Sequence, residues 1–294
     1  MKTKILTILA LIALLVACAP APQQPTGPGV ETIVASTFQA MTASAPTVTP
    51  TATQPSGNIV TLEHVSFTIP EGLALGAKAQ LVPAADGENT APWDMAPEHL
   101  LFEFYGYNDQ VAKSKAMEIQ VFPAQEYAGM NAGARQSLPK LESFLAAPDT
   151  SLAADQLPAV PYYNAAQIFA ARVKPIQFAS GSGVRMMTQY GQAVGPVANS
   201  ATLYHFQGLT SDGKYYIVAI LPLGASFLID GSDPLAVPPP GGVQFPGYTT
   251  LNPSDYESYF QAVTSALNSA APGTFSPSLE TLDALIESIT VSTP

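Results

Sequence analysis

The sequence predicts an α+β domain, an antiparallel β-sheet with helices packed on it, preceded by a signal peptide and a disordered tether. Three observations predict it. Leu100, Phe102 and Phe104, and again Met117, Ile119 and Val121, alternate with other residues at the period of a half-buried strand. Between residues 165 and 222 several such runs follow one another across short turn signals, which makes an antiparallel meander. Two helical stripes then close the chain, each behind residues suited to cap a helix. Strands in succession followed by helices, without regular strand–helix alternation, point to an antiparallel sheet and not to a doubly wound one.

The elements follow in chain order. Lys2 and Lys4 form a short basic stretch, and Ile5 to Val16 is apolar save for Thr7. At about 1.5 Å per residue this run reaches ~18 Å, short of the ~30 Å hydrocarbon core of a bilayer. It reads as the apolar part of a signal peptide, residues 1–17, and not as a membrane span. Leu15-Val16-Ala17-Cys18 resembles the lipobox of bacterial lipoproteins. The resemblance implies cleavage before Cys18 and a diacylglycerol on its sulfur. The lipid would hold the chain at a cell membrane or envelope surface, facing away from the cytoplasm, since two or more acyl chains anchor stably at about 0.8 kcal/mol per buried CH₂. The competing reading is an ordinary cleaved signal followed by a chance cysteine. Cys18 is the only cysteine, so no intrachain disulfide forms and core packing alone holds the fold.

Residues 18–57 read as a tether. Ala19 to Gly29 is rich in Pro, Gln and Gly, and Ala43 to Gly57 in Thr, Pro, Ala and Ser, compositions with little to bury. Between them Val30, Ile33, Val34, Phe38 and Met41 recur at helical spacing, so 30–43 forms a short amphipathic helix on lipid, on a partner or on the domain, or a transient helix within the tether. Residues 58–294 form the globular domain. Ile59 to Leu62 and Val65 to Ile69 are strand-like, and Pro70-Glu71-Gly72 is a turn signal. Within 124–147 the spacing of Leu138, Leu141, Phe144 and Leu145 predicts a helix with Pro139 in its first turn, where the missing N–H costs nothing. Ile168 to Phe178 reads as one strand or a pair broken at Pro175, Ala179 to Gly183 as a turn, and Val184 to Tyr190 as the next strand. Thr210-Ser211-Asp212-Gly213 joins Leu203–Leu209 to Lys214–Leu221 as a hairpin. Residues 223–253 are irregular around Pro238-Pro239-Pro240-Gly241-Gly242, a segment long enough to be either functional or a cover over a sheet face. Ser254 and Glu257 make a capping box for a helix striped by Tyr256, Tyr259, Phe260, Val263 and Leu267. Ser276 and Pro277 open a second helix with Leu279, Leu282, Leu285 and Ile286 on one face, and Ser288 to Val291 ends as a short strand.

Hydrophobic residues make up 47% of the chain and charged residues 11%, the latter well below the ~25% of an ordinary soluble domain. Small and weakly polar residues therefore dress the surface, as on many exported proteins. The net charge is −11, and removal of Lys2 and Lys4 with the leader makes it more negative. Such a chain repels nucleic-acid phosphates and has no overall attraction to anionic lipid, which leaves the acyl group on Cys18 as the expected membrane contact.

The search for chemistry returns little. His64, His99 and His205 stand at no metal-ligand spacing, and Cys18 is taken by the anchor, so neither a metal nor a cofactor is expected. Gly181-Ser182-Gly183 lacks the flanking glycines of a nucleophile elbow and the lysine of a phosphate loop. A Ser182–His205–Asp212 triad can be written down, but chain order does not supply its geometry. Asp230-Gly231-Ser232-Asp233 reads as a turn before it reads as a calcium loop. Arg185, one of three arginines, either pairs with a carboxylate, the default, or faces an anionic ligand. Trp93, Tyr162, Tyr163, Tyr215, Tyr216 and Tyr248 are core aromatics or a sugar-stacking face. Arg185, Tyr162, Tyr163 and Asp212 stand as ligand-binding candidates, with no catalytic residue assigned.

Val65-Ser66-Phe67-Thr68-Ile69-Pro70-Glu71-Gly72 and Leu282-Asp283-Ala284-Leu285-Ile286-Glu287-Ser288-Ile289 resemble the opening and closing elements of PsbP/Mog1-like domains. The resemblance covers the two ends of residues 59–291. It implies a binding or assembly-factor fold without an established catalytic site, and carries no functional residue over. The function expected is that of a membrane-tethered, non-catalytic binding or assembly module, its partner an envelope protein or a small molecule. The alternatives are a cell-envelope hydrolase and a solute-binding lipoprotein, the last disfavoured because two α/β lobes are not signalled.

Overall fold

The structure, a computed structural model, describes residues 57–107, 117–160, 164–248 and 252–292. The chain divides into two units, Met1–Thr53 and Gln54–Pro294, and all described residues belong to the second. The leader 1–17, Cys18, the helix 30–43, Tyr162 and Tyr163 lie outside the described residues.

The centre is a seven-stranded antiparallel sheet. Its strands are β3 (Gly76–Val82), β4 (His99–Tyr105), β5 (Glu118–Pro123), β6 (Ala166–Phe178), β7 (Gly181–Gly191), β8 (Thr202–Thr210) and β9 (Tyr215–Pro222), in the spatial order β3-β4-β5-β9-β8-β7-β6. A smaller sheet joins β1 (Gly57–Leu62), β2 (Val65–Pro70) and the closing β12 (Thr290–Val291), and a two-residue pair links β10 (Gly224–Ala225) to β11 (Phe275–Ser276). Helices α1 (Ala124–Met130) and α2 (Ala132–Ala146) follow β5, and α3 (Pro253–Ser269) and α4 (Leu279–Glu287) close the chain. The fold is α+β with helices on an antiparallel sheet.

Both faces of the central strands are buried. On β9, Ile217, Ala219 and Leu221 enter one core with β2, α3 and α4, while Tyr216, Val218 and Ile220 enter a second core with α1 and α2. Strict alternation therefore holds in geometry but not in polarity, as expected when a strand is covered on both sides. Away from the centre it returns: on β4, Leu100, Phe102 and Phe104 are buried while Glu103 and Tyr105 are exposed. The segments that open and close the domain meet, since β12 pairs with β2 and α4 packs on it.

Four local expectations are corrected. The turn placed at 179–183 is only Ala179-Ser180, and Ser182 and Gly183 belong to β7. A Cβ on Gly183 would lie 2.3 Å from Gln207 O and 2.4 Å from the Phe206 ring, so this glycine serves close packing and not a turn. Pro139 lies inside α2, whose start moves back to Asn131 because the Asn131 Oδ1 accepts the Ala134 N–H at 3.1 Å. Burial of Leu138, Leu141 and Phe144 offsets a lost helix bond that costs roughly 3 kcal/mol. The cap of α3 is Asn252, with Pro253 as first residue, and Ser254 lies inside the helix. Ser276 pairs with Gly224 in a strand, so α4 begins later, with the Ser278 Oγ accepting the Thr281 N–H at 3.1 Å. Pro175 does not break β6. It sits in a strand at the edge of the sheet, where a missing donor is tolerated. The irregular segment after β9 lies on the first core, with Phe227, Leu228 and Phe245 buried.

Candidate functional site

The best-formed recess lies on the face of the sheet that carries α1 and α2. Glu118, Gln120 and Phe122 alternate onto this face from β5, and Val218 and Ile220 join them from the neighbouring β9. Helix α1 starts directly after β5 and lays Tyr127 over Phe122, with ring centroids 3.8 Å apart and planes 7° from parallel. Glu118 and Gln120, at the other end of the strand, line a cavity of about 430 Å³ with Trp93, Asp94, His99 and Val160.

The far wall is held by one buried amide. Asn131, 2% exposed, donates from Nδ2 to Trp93 O at 3.1 Å and to Met95 O at 3.0 Å while its Oδ1 caps α2. The indole of Trp93, 40% exposed, is thereby placed at the rim. His99 enters from the start of β4. Its Nδ1 lies 2.8 Å from Pro97 O and must be the donor, which leaves Nε2 as an acceptor. Its ring lies on Phe122 at 4.4 Å, and burial lowers its pKa, keeping it neutral. Glu118 accepts from Gln120 Nε2 at 2.9 Å and stands opposite Glu103 in the ladder. Burial, and then the Glu103 charge, push its pKa up to about 7. The recess thus combines two carboxyls, one of them half-ionised near neutral pH, an imidazole acceptor and an aromatic wall. It holds acceptors and no cation among the described residues.

The candidates read from the sequence are dispersed. Arg185 is buried on the opposite face, where its Nε donates to Asp283 Oδ1 at 3.1 Å and its Nη1 to Arg172 O. Asp283 also accepts from Lys174 Nζ at 2.8 Å and from the Tyr204 hydroxyl at 3.0 Å. Asp212 closes the β8–β9 turn, accepting from Thr210 Oγ1 at 2.7 Å and from Lys214 N at 3.1 Å. The triad is not assembled. His205 is fully buried, with Nδ1 2.8 Å from the Tyr190 hydroxyl and Nε2 2.7 Å from Gln207 Nε2. Ser182 pairs with Leu209 and His205 with Met186, four positions along the ladder, or roughly 13 Å at about 3.3 Å per residue. Among the described residues no three His, Cys, Asp or Glu gather in a metal-binding group, and no helix is long and apolar enough to cross a membrane.

Trp93 stood among the candidate aromatics and His99 among the three histidines, but Glu118 and Gln120 were missed. The available signal was Glu118 itself, a charge between Met117 and Ile119 in a strand that turns out to be central. Comparison of the chain with protein families, with curated proteins and with solved structures returned no match.

Proposed function

We propose that the chain is a lipid-tethered binding module working outside the cytoplasm, and that it takes a small donor-rich ligand, a polyol or an amine, in the Trp93 recess. The lipobox-like Leu15–Cys18 and the Pro- and Thr-rich stretch after it support the tether. The PsbP/Mog1-like resemblance of residues 65–72 and 282–289 supports a binding or assembly role. One observation supports the ligand seat above all others: Glu118, Asp94 and the free face of His99 converge on an aromatic-walled recess beside the indole of Trp93. Two carboxyls with no cation in the lining suit hydroxyl or ammonium groups, and aromatic faces suit the apolar side of a sugar ring or a cation.

Trp93 is the only tryptophan in the chain, so the emission of the intact protein reports on this recess alone. Titration with a panel of neutral sugars and alkylamines is expected to give a saturable change with one class. Glu118→Gln should weaken that binding about tenfold, the loss of one charge-assisted contact. An amine should bind more tightly as the pH rises through about 7, where Glu118 ionises. A flat response across the panel overturns the ligand seat.

The same carboxyl favours a second reading, a cell-envelope hydrolase. A carboxyl titrating near 7 suits general acid–base work at neutral pH. Turnover of a glycoside or ester that Glu118→Gln abolishes would select this reading over the first.

A further inference from the structure

A second, shallower recess of about 430 Å³ opens at the β6 edge of the sheet, lined by Thr150, Arg172, Val173, Lys174, Arg185 and Asn268. Three of the chain's 11 basic side chains meet there, including two of its three arginines. The β6–β7 ladder brings them together through a register shift between Ala171 and Lys174. Bulges of this kind re-aim side chains. Arg172 takes the left-handed conformation at φ 56°, at a cost on the order of 1 kcal/mol for a residue with a Cβ. The Asn268 Oδ1 holds it there, accepting the Arg172 backbone N–H at 2.6 Å. The guanidinium donates from Nη1 to Asn268 O at 2.9 Å and lies 4.9 Å from the Phe275 ring centroid.

The local charge can be weighed. Asp283 neutralises one cation, with Arg185 and Lys174 both on its carboxylate. The carbonyl end of α3 at Asn268 adds about half a negative charge beside Arg172. Three cations therefore leave a local excess of about 1.5 positive charges. Further acids lie near. Asp149 precedes Thr150 and is turned onto the Ser151 N–H and hydroxyl, and on α4 Glu280 as well as Glu287 lies one turn from Asp283; all are exposed and screened by solvent. The chain's net charge of −11 acts at long range. Within the ~8 Å screening length of physiological salt the local cations dominate. Among the described residues, Nε and Nη2 of Arg172, two of the three Lys174 N–H donors and the Thr150 hydroxyl carry no partner.

We infer that this recess binds a phosphate oxyanion through Arg172, Lys174 and the Thr150 hydroxyl. Two cations from one strand and a hydroxyl from the loop at Thr150 offer N–H and O–H donors to the several oxygens of a phosphate. Asp283 locks Arg185 behind them, where it adds field without reaching out. A soluble phosphate ester and the headgroup of an anionic phospholipid share this chemistry, and the experiment separates them.

The intact chain carrying Cys18→Ser, so that no acyl group acts in its place, is titrated with inorganic phosphate at constant ionic strength. In parallel it is sedimented with vesicles of phosphatidylglycerol and of phosphatidylcholine. Saturable phosphate binding assigns a soluble ligand, and binding confined to the phosphatidylglycerol vesicles assigns a headgroup. In either case Lys174→Gln or Arg172→Gln should weaken binding at least tenfold, while Lys78→Gln on β3, at the opposite edge of the sheet, leaves it unchanged. Lys174 is half exposed, and its replacement spares the Arg185–Asp283 pair. Absence of binding in both arms, a loss below tenfold in both site variants, or an equal loss in Lys78→Gln overturns the inference.

Discussion

Two side chains facing the α1–α2 side of the sheet have their pKa values moved in opposite directions by the same physical cause. Burial lowers His205 to about 3 and raises Glu118 to about 7. Between pH 3 and 6.5 the folded protein carries fewer protons on His205 than the unfolded chain does, so this residue makes stability rise with pH. Between pH 4.5 and 7 the folded protein carries more protons on Glu118, so this residue makes stability fall as pH rises. The two slopes oppose each other across the overlap. Glu118→Gln removes only the second. Relative to the parent, the variant should be unchanged below pH 4.5 and gain stability steadily up to pH 7. The gain should level off at about 2 kcal/mol, less than the full shift at 1.36 kcal/mol per unit because water reaches the half-buried carboxyl. Urea unfolding of both proteins at pH 4, 5.5 and 7.5 reads the difference directly. A difference that does not change with pH would show that Glu118 titrates as an ordinary carboxyl. His205 is fully buried on this side of the sheet. Its neutral ring is held by Tyr190 and Gln207, and Gln207 Oε1 in turn accepts from Tyr216 and Ser137.

At the scale of elements, the Gly181-Ser182-Gly183 stretch shows how one motif changes meaning once its partner strand is known. Gly183 stands opposite Gly208 across β7 and β8. The missing side chains make room for the rings of Phe206 and Phe178, which meet edge to face at 6.0 Å. Gly183→Ala puts a methyl against backbone and ring and should cost about 2 kcal/mol, the usual penalty for overpacking. Gly129, in α1, has nothing within 4 Å of a built Cβ, so Gly129→Ala should stabilise by about 0.5 kcal/mol through lost unfolded-state freedom. Thermal unfolding of the pair separates packing from flexibility, and a Gly183→Ala protein as stable as the parent would reject the packing account. The hairpin between β8 and β9 is the opposite case. Gly213 at φ 71° and Asp212 bonding the backbone close it by local chemistry alone, and it forms where the sequence places it.

At the scale of the whole molecule, the sheet divides the domain into two cores of different character. The larger holds the ends of the domain together, because β2, α4 and β12 all bury their apolar faces in it. The smaller, under α1 and α2, leaves the Glu118 end of β5 open as the recess. The proposed place of this body in the cell depends on Cys18. Intact mass measurement of the mature protein is expected to find a chain beginning at Cys18 with a diacylglyceryl group on it, and Cys18→Ser should release the protein from the membrane fraction. A mature chain with an unmodified Cys18, or with its leader attached, would remove the tether from the proposal.

The sequence by itself determined whatever depends on near neighbours along the chain. Alternation placed β4, β5 and the meander, turn chemistry placed the β8–β9 hairpin, and apolar spacing placed α3 and α4 to within a few residues. The tertiary structure alone decided what depends on residues distant in sequence. Which serine or asparagine capped a helix followed from where Ser276 and Asn131 found partners. Arg185 met its carboxylate on a helix 98 residues away. Glu118 became a candidate-site residue only because β5 lies between β4 and β9, where water is scarce enough to shift a carboxyl and a cavity remains beside it. Hydrogen bonds within a turn are written in adjacent letters, whereas desolvation is set by everything that packs around an atom.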